Sequence, residues 1–260
     1  MSFWSSLCTI LMLVVLSPSV AALADNNDGW ELAQKVYNRE DGRDSLAKAN
    51  MTLIDKMGRR RERELEIAIK DFGALSKRYI YFSAPEGIKG TAFLAWENED
   101  REDDQFLYLP ALGRVRRIVS NQKSKSFVNT DFTYEDLERH KPADYDHRIL
   151  SKADCFGKSC LLLESRAKDP NRSQYGKTVS WITPEGFVPV KIEFFDKQGH
   201  LIKLFTAREL KLIDGIWTIT SSVMQNLKKG HSTEMRIHEV RYNQGLSDDL
   251  FTQRRLERRP

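Results

Sequence analysis

The sequence is poor in the patterns from which catalytic sites are built. Its five histidines, His140, His147, His200, His231 and His238, never fall at helical metal-ligand spacing, and no HExxH occurs. There is no GxSxG elbow. No two of the 14 glycines stand two positions apart, so no GxGxxG cradle forms, and no P-loop occurs. The acidic run Glu97 to Asp104 lacks the turn glycine and the ligand spacing of a calcium loop, and reads as a long exposed hairpin tip. Two distant carboxylates could still form a glycosidase pair, but nothing singles out which. The expectation is a protein without enzymatic activity, cofactor or metal. Net charge is only +4 on a chain that is 30% charged, too mild an excess to indicate nucleic acid.

Long hydrophobic runs are nearly absent as well. The one exception is Leu7 to Leu16, broken by Ser17-Pro18 and followed by Ala22-Leu23-Ala24. A short apolar core, a helix breaker and a small-x-small site make a secretory signal peptide, although no Lys or Arg precedes the core. The run is short for a membrane anchor, which needs about 20 residues. No lipobox leads to a cysteine. The expectation is therefore residues 1–24 as signal, cleavage after Ala24, and residues 25–260 as one soluble periplasmic domain. Of three cysteines, Cys8 leaves with the signal. Cys155 and Cys160 remain, flanking the turn-like Phe-Gly-Lys-Ser, and an even count in an oxidising compartment suggests a disulfide. The spacing does not suit a CxxC redox motif, and a metal site would lack further ligands.

What is abundant is alternation. After one amphipathic helix over Gly29 to Arg39, strands are expected at 48–57, 60–71, 78–83, 91–97, 105–109 and 114–119. After a break they resume at 145–150, 160–165, 177–183, 190–196, 201–212, 216–225 and 233–242. Hairpin turns such as Asp214-Gly215 separate them, which indicates an antiparallel meander or barrel. The break, Asn121 to Pro142, reads as a loop with a short helix near 133–139. The tail from Asp248 to Arg259 reads as a final helix or an extension of the last strand.

Two features need more than a meander. Strands 78–83, 91–97 and 105–109 are apolar on both faces, so both must be covered. One face is expected either to pack as ordinary core or to line an apolar cavity. The candidate lining set is Tyr79, Tyr81, Leu94, Trp96, Phe106 and Tyr108, or their alternating neighbours if the register is slipped by one residue. Basic residues also cluster, at Arg59, Arg60, Arg61 and Arg63 and at Arg114, Arg116 and Arg117. A solvated face is the ordinary reading of such runs. Arginine forks equally suit phosphate or carboxylate, which makes Arg114, Arg116 and Arg117 candidates for headgroup or partner contact.

Five blocks together resemble one family. They are FLYLPALGRVRRI (106–118), SFVNTDFTYEDL (126–137), WITPEGFVPVKIEFFDKQGHLIK (181–203), IDGIWTI (213–219) and LSDDLFTQRRL (246–256). In order and spacing they resemble the LolA-like outer-membrane lipoprotein-sorting proteins, and within them the branch often encoded beside RND-type exporters. The resemblance implies a mainly β (α+β) fold: a curved antiparallel half-barrel of about 11 strands, with a few helices covering its concave side. It implies a monomeric periplasmic carrier of lipoprotein acyl chains or another lipid. Its partners would be that cargo and an inner-membrane RND-type transporter or an outer-membrane acceptor. The alternative is a non-enzymatic accessory subunit of such an exporter. The resemblance does not carry the family's functional arginine onto a particular position here.

Overall fold

The computed structural model describes residues 26–257. The expected signal and its cleavage site after Ala24 lie outside the described residues. A first meander comprises β1 (Asp44–Ile54), β2 (Arg60–Phe72), β3 (Leu75–Ala84), β4 (Ala92–Trp96), β5 (Asp104–Leu109) and β6 (Arg114–Ile118). A second comprises β7 (Tyr145–Cys155), β8 (Lys158–Ala167), β9 (Lys177–Ile182), β10 (Pro189–Phe195), β11 (Leu201–Ile213), β12 (Ile216–Asn226) and β13 (His231–Tyr242). Each anticipated segment is a strand of its own, so the sheet has 13 strands rather than about 11. All pairings are antiparallel, and the order is β6-β5-β4-β3-β2-β1-β13-β12-β11-β10-β9-β8-β7. The strands β6 and β7 are free edges, so the sheet is open. The β7–β8 hairpin runs further than expected because its turn is only Phe156-Gly157, both at positive φ, as a two-residue I′-type loop requires. Cys155 and Cys160 are joined across it, with Cα atoms 5.9 Å apart.

The helix α1 (Asn26–Tyr37) gives the curvature away. Its Leu32 and Ala33 pack on Leu163 of β8 and Ile182 of β9. Its Tyr37 hydroxyl donates to Glu97, just beyond β4. In the strand order β4 and β8 lie nine spacings apart, about 43 Å in a flat sheet at roughly 4.8 Å per strand. Twelve helical residues span only about 18 Å. The sheet must therefore curl round α1, which lies in its concavity. Gly29 allows the close seat on β7, since a Cβ there would stand 2.6 Å from the carbonyl oxygen of His147.

The same topology explains the break in the strand pattern. Residues 119–144 join β6 to β7, the two opposite edges, and so must cross the open side of the half-barrel as a lid. Phe127 and Tyr134 of the lid pack on Phe82 and Phe93 of the concave face. The short helix expected near 133–139 is a single tight turn, Glu135–Leu137. Its acidic side chains point inward to Ser173, Gln174 and Lys203, and the backbone follows them. The tail turns back after β13, where the buried Asp44 carboxylate accepts from the amides of Gln244, Gly245 and Leu246. It then crosses the convex face as a tight turn, Asp248–Phe251, and the short helix α2 (Gln253–Glu257).

Candidate functional site

None of the six residues expected to line a cavity borders the apolar cavity described below. Tyr79, Leu94 and Phe106 point to the convex face and are buried beneath Phe251 and Leu256 of the tail, with Tyr81, Trp96 and Tyr108 packed around them. The Trp96 indole donates to the Phe251 carbonyl oxygen at 2.9 Å. Their alternating neighbours, Ile80, Phe82, Phe93, Ala95 and Leu107, are core beneath the lid. Both faces of β3–β5 are filled because two remote segments of the chain supply the two covers.

The cavity lies further round the sheet, between α1, the lid and the concave face of β8–β12. Its volume is about 400 Å³. Its apolar wall comes from Val36 of α1, Phe132 of the lid, Leu163, Ile182, Ile192, Phe194, Phe205 and Met224. Ser76, Ser165, Thr178 and Ser180 add hydroxyls to it, and His140 and His147 add imidazoles. Charge gathers at the side nearest β2, β3 and the end of the lid, where Arg39, Asp41, Asp71, Arg78, Glu138 and Arg139 meet it, and Asp136 of the lid is the further charged member.

A set of buried polar contacts holds the lid over this space. Lys203, 4% exposed, pairs with Asp136 and reaches the Tyr175 hydroxyl at 2.7 Å. Burial, with Asp136 beside it, pushes the Tyr175 phenol well above its ordinary pKa. Arg78 donates to the Leu137 carbonyl at 2.6 Å, and Arg63 to that of Val128 at 2.6 Å. Arg139 donates to the carbonyl of Tyr37, lies over its ring and pairs with Glu97, so lid and α1 are locked to each other. Lys123 is shared by Glu102 and Glu138, at 3.0 and 2.6 Å. Glu138 is the deeper of the two. Burial pushes its pKa up to about 7, against the pull of Lys123. Glu102 is held low by its bonds to Ser120 and Lys123 despite partial burial.

These contacts correct the reading of the acidic run. Only Glu99 to Arg101 form an exposed tip. Glu97, Asp103 and Asp104 turn inward as counter-charges: Glu97 to Arg139, Asp103 to Lys141, Asp104 to Arg101 and Arg117. The bond from Arg101 chiefly holds Asp104 down at about 2. The first basic cluster is mainly structural. Arg59 pairs with Asp55, Arg60 with Glu234, and Arg63 is buried under the lid. In the second cluster Arg117 is engaged with Asp104, whereas Arg114 and Arg116 are exposed on the edge strand β6 with no ion-pair partner among the described residues. Arg116 borders a wider, half-polar groove of about 620 Å³ beside Ile88, Leu109 and Leu112.

Sequence reasoning missed the true lining. Phe194 and Ile192 alternate in β10 as any half-buried strand does, and nothing local distinguishes a wall facing space from one facing core. Arg78 did leave a signal. It shares its face with Ile80 and Phe82, so a cation sits on an apolar stripe.

Comparison with known proteins agrees with this architecture. A family model described only as an uncharacterized protein matches residues 74–258. No curated protein matches the chain. Among solved structures, a domain from Vibrio parahaemolyticus named for outer-membrane lipoprotein sorting is 33% identical, with a TM-score of 0.84 over 90% of this chain and 100% of that one. A DUF1329 family protein from Desulfovibrio piger is 28% identical, with a TM-score of 0.84 over 88% and 98% of the two chains. A LolA superfamily protein from Nitrosomonas europaea shares the fold at 18% identity, with a TM-score of 0.67 over 87% and 98%. With its open curved sheet, lidded concavity and these relatives, the chain belongs to the LolA-like family of outer-membrane lipoprotein-sorting proteins.

Proposed function

We propose that this protein is an exported, non-enzymatic carrier that shields acyl chains of a lipoprotein or another lipid as they cross the periplasm. The observation that supports this most is the apolar cavity of about 400 Å³ beneath a lid strung between the two sheet edges. Each methylene moved from water into such a wall contributes roughly 0.8 kcal/mol, so one or a few chains suffice for firm yet transferable binding. Native mass spectrometry of protein released gently from its own periplasm tests the reading. The expected result is a chain beginning at Asp25 with a lipid adduct that dissociates on activation. A chain retaining residues 1–24, or one that never carries lipid and binds none when offered it, would sink the proposal.

A second reading, an accessory subunit of an RND-type exporter or a contact for an outer-membrane acceptor, draws on Arg114 and Arg116 at the unpaired edge β6. An edge strand can accept a partner strand. Stable co-purification with a membrane transporter while the cavity stays empty favours this reading over the carrier.

A further inference from the structure

We propose that the cargo is a single-chain amphiphile with an anionic head, its chain in the 400 Å³ cavity and its head on Arg78. This rests on the carrier reading and narrows its cargo. The size argument comes first. A cavity of about 150 Å³ holds one benzene, so on the same scale a chain carbon takes roughly 25–30 Å³. The 400 Å³ cavity thus accommodates about 13 such carbons, one chain of ordinary length. Three such chains, as on a triacylated lipoprotein, would need on the order of 1,200 Å³ by the same measure.

The charge argument is independent of size. Three arginines meet the cavity. Arg39 stands 3.8 Å from Asp41, and Arg139 is held by Glu97 and the Tyr37 carbonyl. Arg78 has no carboxylate partner among the described residues. Of its five N–H donors, the Nη1 group bonds Leu137, and no other partner among the described residues takes the rest. Its strand neighbours on that face are Ile69 and Ala95. Asp103, Asp41 and Glu97 lie within electrostatic reach of Arg78 but form no ion pair with it, and Arg139 opposes their pull. A half-buried guanidinium without a contact partner gains from an anion that joins it directly, and its planar fork matches a carboxylate or a phosphate. The acids of the wall do not compete for it. Asp136 is committed to Lys203 and Glu138 to Lys123. Glu97 is taken by Arg139, Asp103 by Lys141 and Asp41 by Arg39, and Asp71, on β2, forms no ion pair with Arg78. The chain therefore lies along Ile182, Phe194, Phe205 and Met224, and the head meets Arg78 at the charged end.

The test is displacement of dansyl-undecanoate from the full-length secreted protein. Competitors are myristate, its uncharged methyl ester, a lysophosphatidylglycerol with one chain, and a tripalmitoylated lipopeptide. Arg78→Gln is the main variant, because it keeps an N–H for the Leu137 carbonyl while removing the charge. Arg78→Met accompanies it, and thermal melts report folding of both. Myristate or the lysolipid is expected to bind one per protein and at least tenfold more tightly than the methyl ester. Arg78→Gln should weaken the anions about tenfold and leave the ester unchanged. Whichever anion binds more tightly shows whether the head is carboxylate or phosphate. If Arg78→Gln affects ester and anion equally, or neither, the assignment of Arg78 fails. If the lipopeptide competes one-to-one as well as myristate does, independently of Arg78, this inference fails while the carrier reading stands. If no amphiphile displaces the probe or binds directly, both fail.

Discussion

Two stretches of the sheet carry the same apolar alternation and use it differently. In β3–β5 the concave side chains Phe82 and Phe93 are covered by Phe127 and Tyr134 of the lid, and the convex ones, Leu94 and Phe106, by Phe251 and Leu256 of the tail. In β9–β12 the concave side chains Phe194, Phe205 and Met224 face a cavity. Alternation reports that a face avoids water. Whether that face becomes core or container depends on whether another part of the chain arrives to fill it.

The contrast can be broken most forcefully in β4. Phe93→Gln and Leu94→Gln point to opposite faces, yet both side chains are fully buried. Each is expected to lose about 3–5 kcal/mol in equilibrium urea unfolding, from lost packing and a stranded amide. If one of the two folds normally and selectively loses lipid, the cavity has been put on the wrong wall. Next comes the junction between the two regions. Lys203→Met strands the buried Asp136 carboxylate and should cost about 3 kcal/mol, read by the same unfolding curves. A cost near zero would show that the lid does not depend on this pair.

A pH-dependent effect concerns Glu138. Its folded pKa is raised from 4.5 to about 7, burial being the largest cause. A raised folded pKa means that its contribution to stability is complete below about pH 4.5 and is lost as the pH climbs through about 7. The wild type should therefore lose up to about 3 kcal/mol more than Glu138→Gln over that interval, at roughly 1.4 kcal/mol per unit of raised pKa. Parallel pH–stability curves would contradict this. The smallest stability change is expected at the cavity wall. Phe205→Gln should cost less than about 1 kcal/mol, because water can reach the new amide, yet weaken a bound acyl probe about tenfold. A large stability loss there would mean that the wall is packed core after all.

Much of this was readable in the sequence. The strands were signalled by period-two alternation or, in β3–β5, by short runs apolar on both faces, and turns such as Asp214-Gly215 fixed the hairpins locally. The helix α1 was legible too, though its ends were not. Trp30 is 37% exposed and leans on His147, outside the buried stripe of Leu32 and Ala33. The positions of the lid and the tail were not legible, since both are set by contacts between residues far apart in the chain. That is why the lining set built from Tyr79 and Leu94 was misplaced: the alternation gave their common face correctly, but the cover over that face comes from Phe251, 155 residues beyond Trp96. The inward turn of Glu97 and Asp103 was hidden for the same reason, because their partners Arg139 and Lys141 lie on the lid.

The ladder between β1 and β13 has a consequence for how the molecule assembles. Every other neighbouring pair in the sheet is a hairpin of consecutive strands, whereas this one aligns Ser45 with Tyr242 and Ile54 with Ser232. It lies in the middle of the order, not at an edge. Each meander can zip locally, but the seam between them closes a loop of nearly the whole chain and belongs among the slow, non-local steps of folding. As the chain is made from its N-terminus, the first meander emerges with β1 as an exposed, unpaired edge until the last strand follows it. Until then that edge is open to wrong pairing. The lid cannot take up its final place any earlier, because the two edges it joins face each other only after the seam has closed.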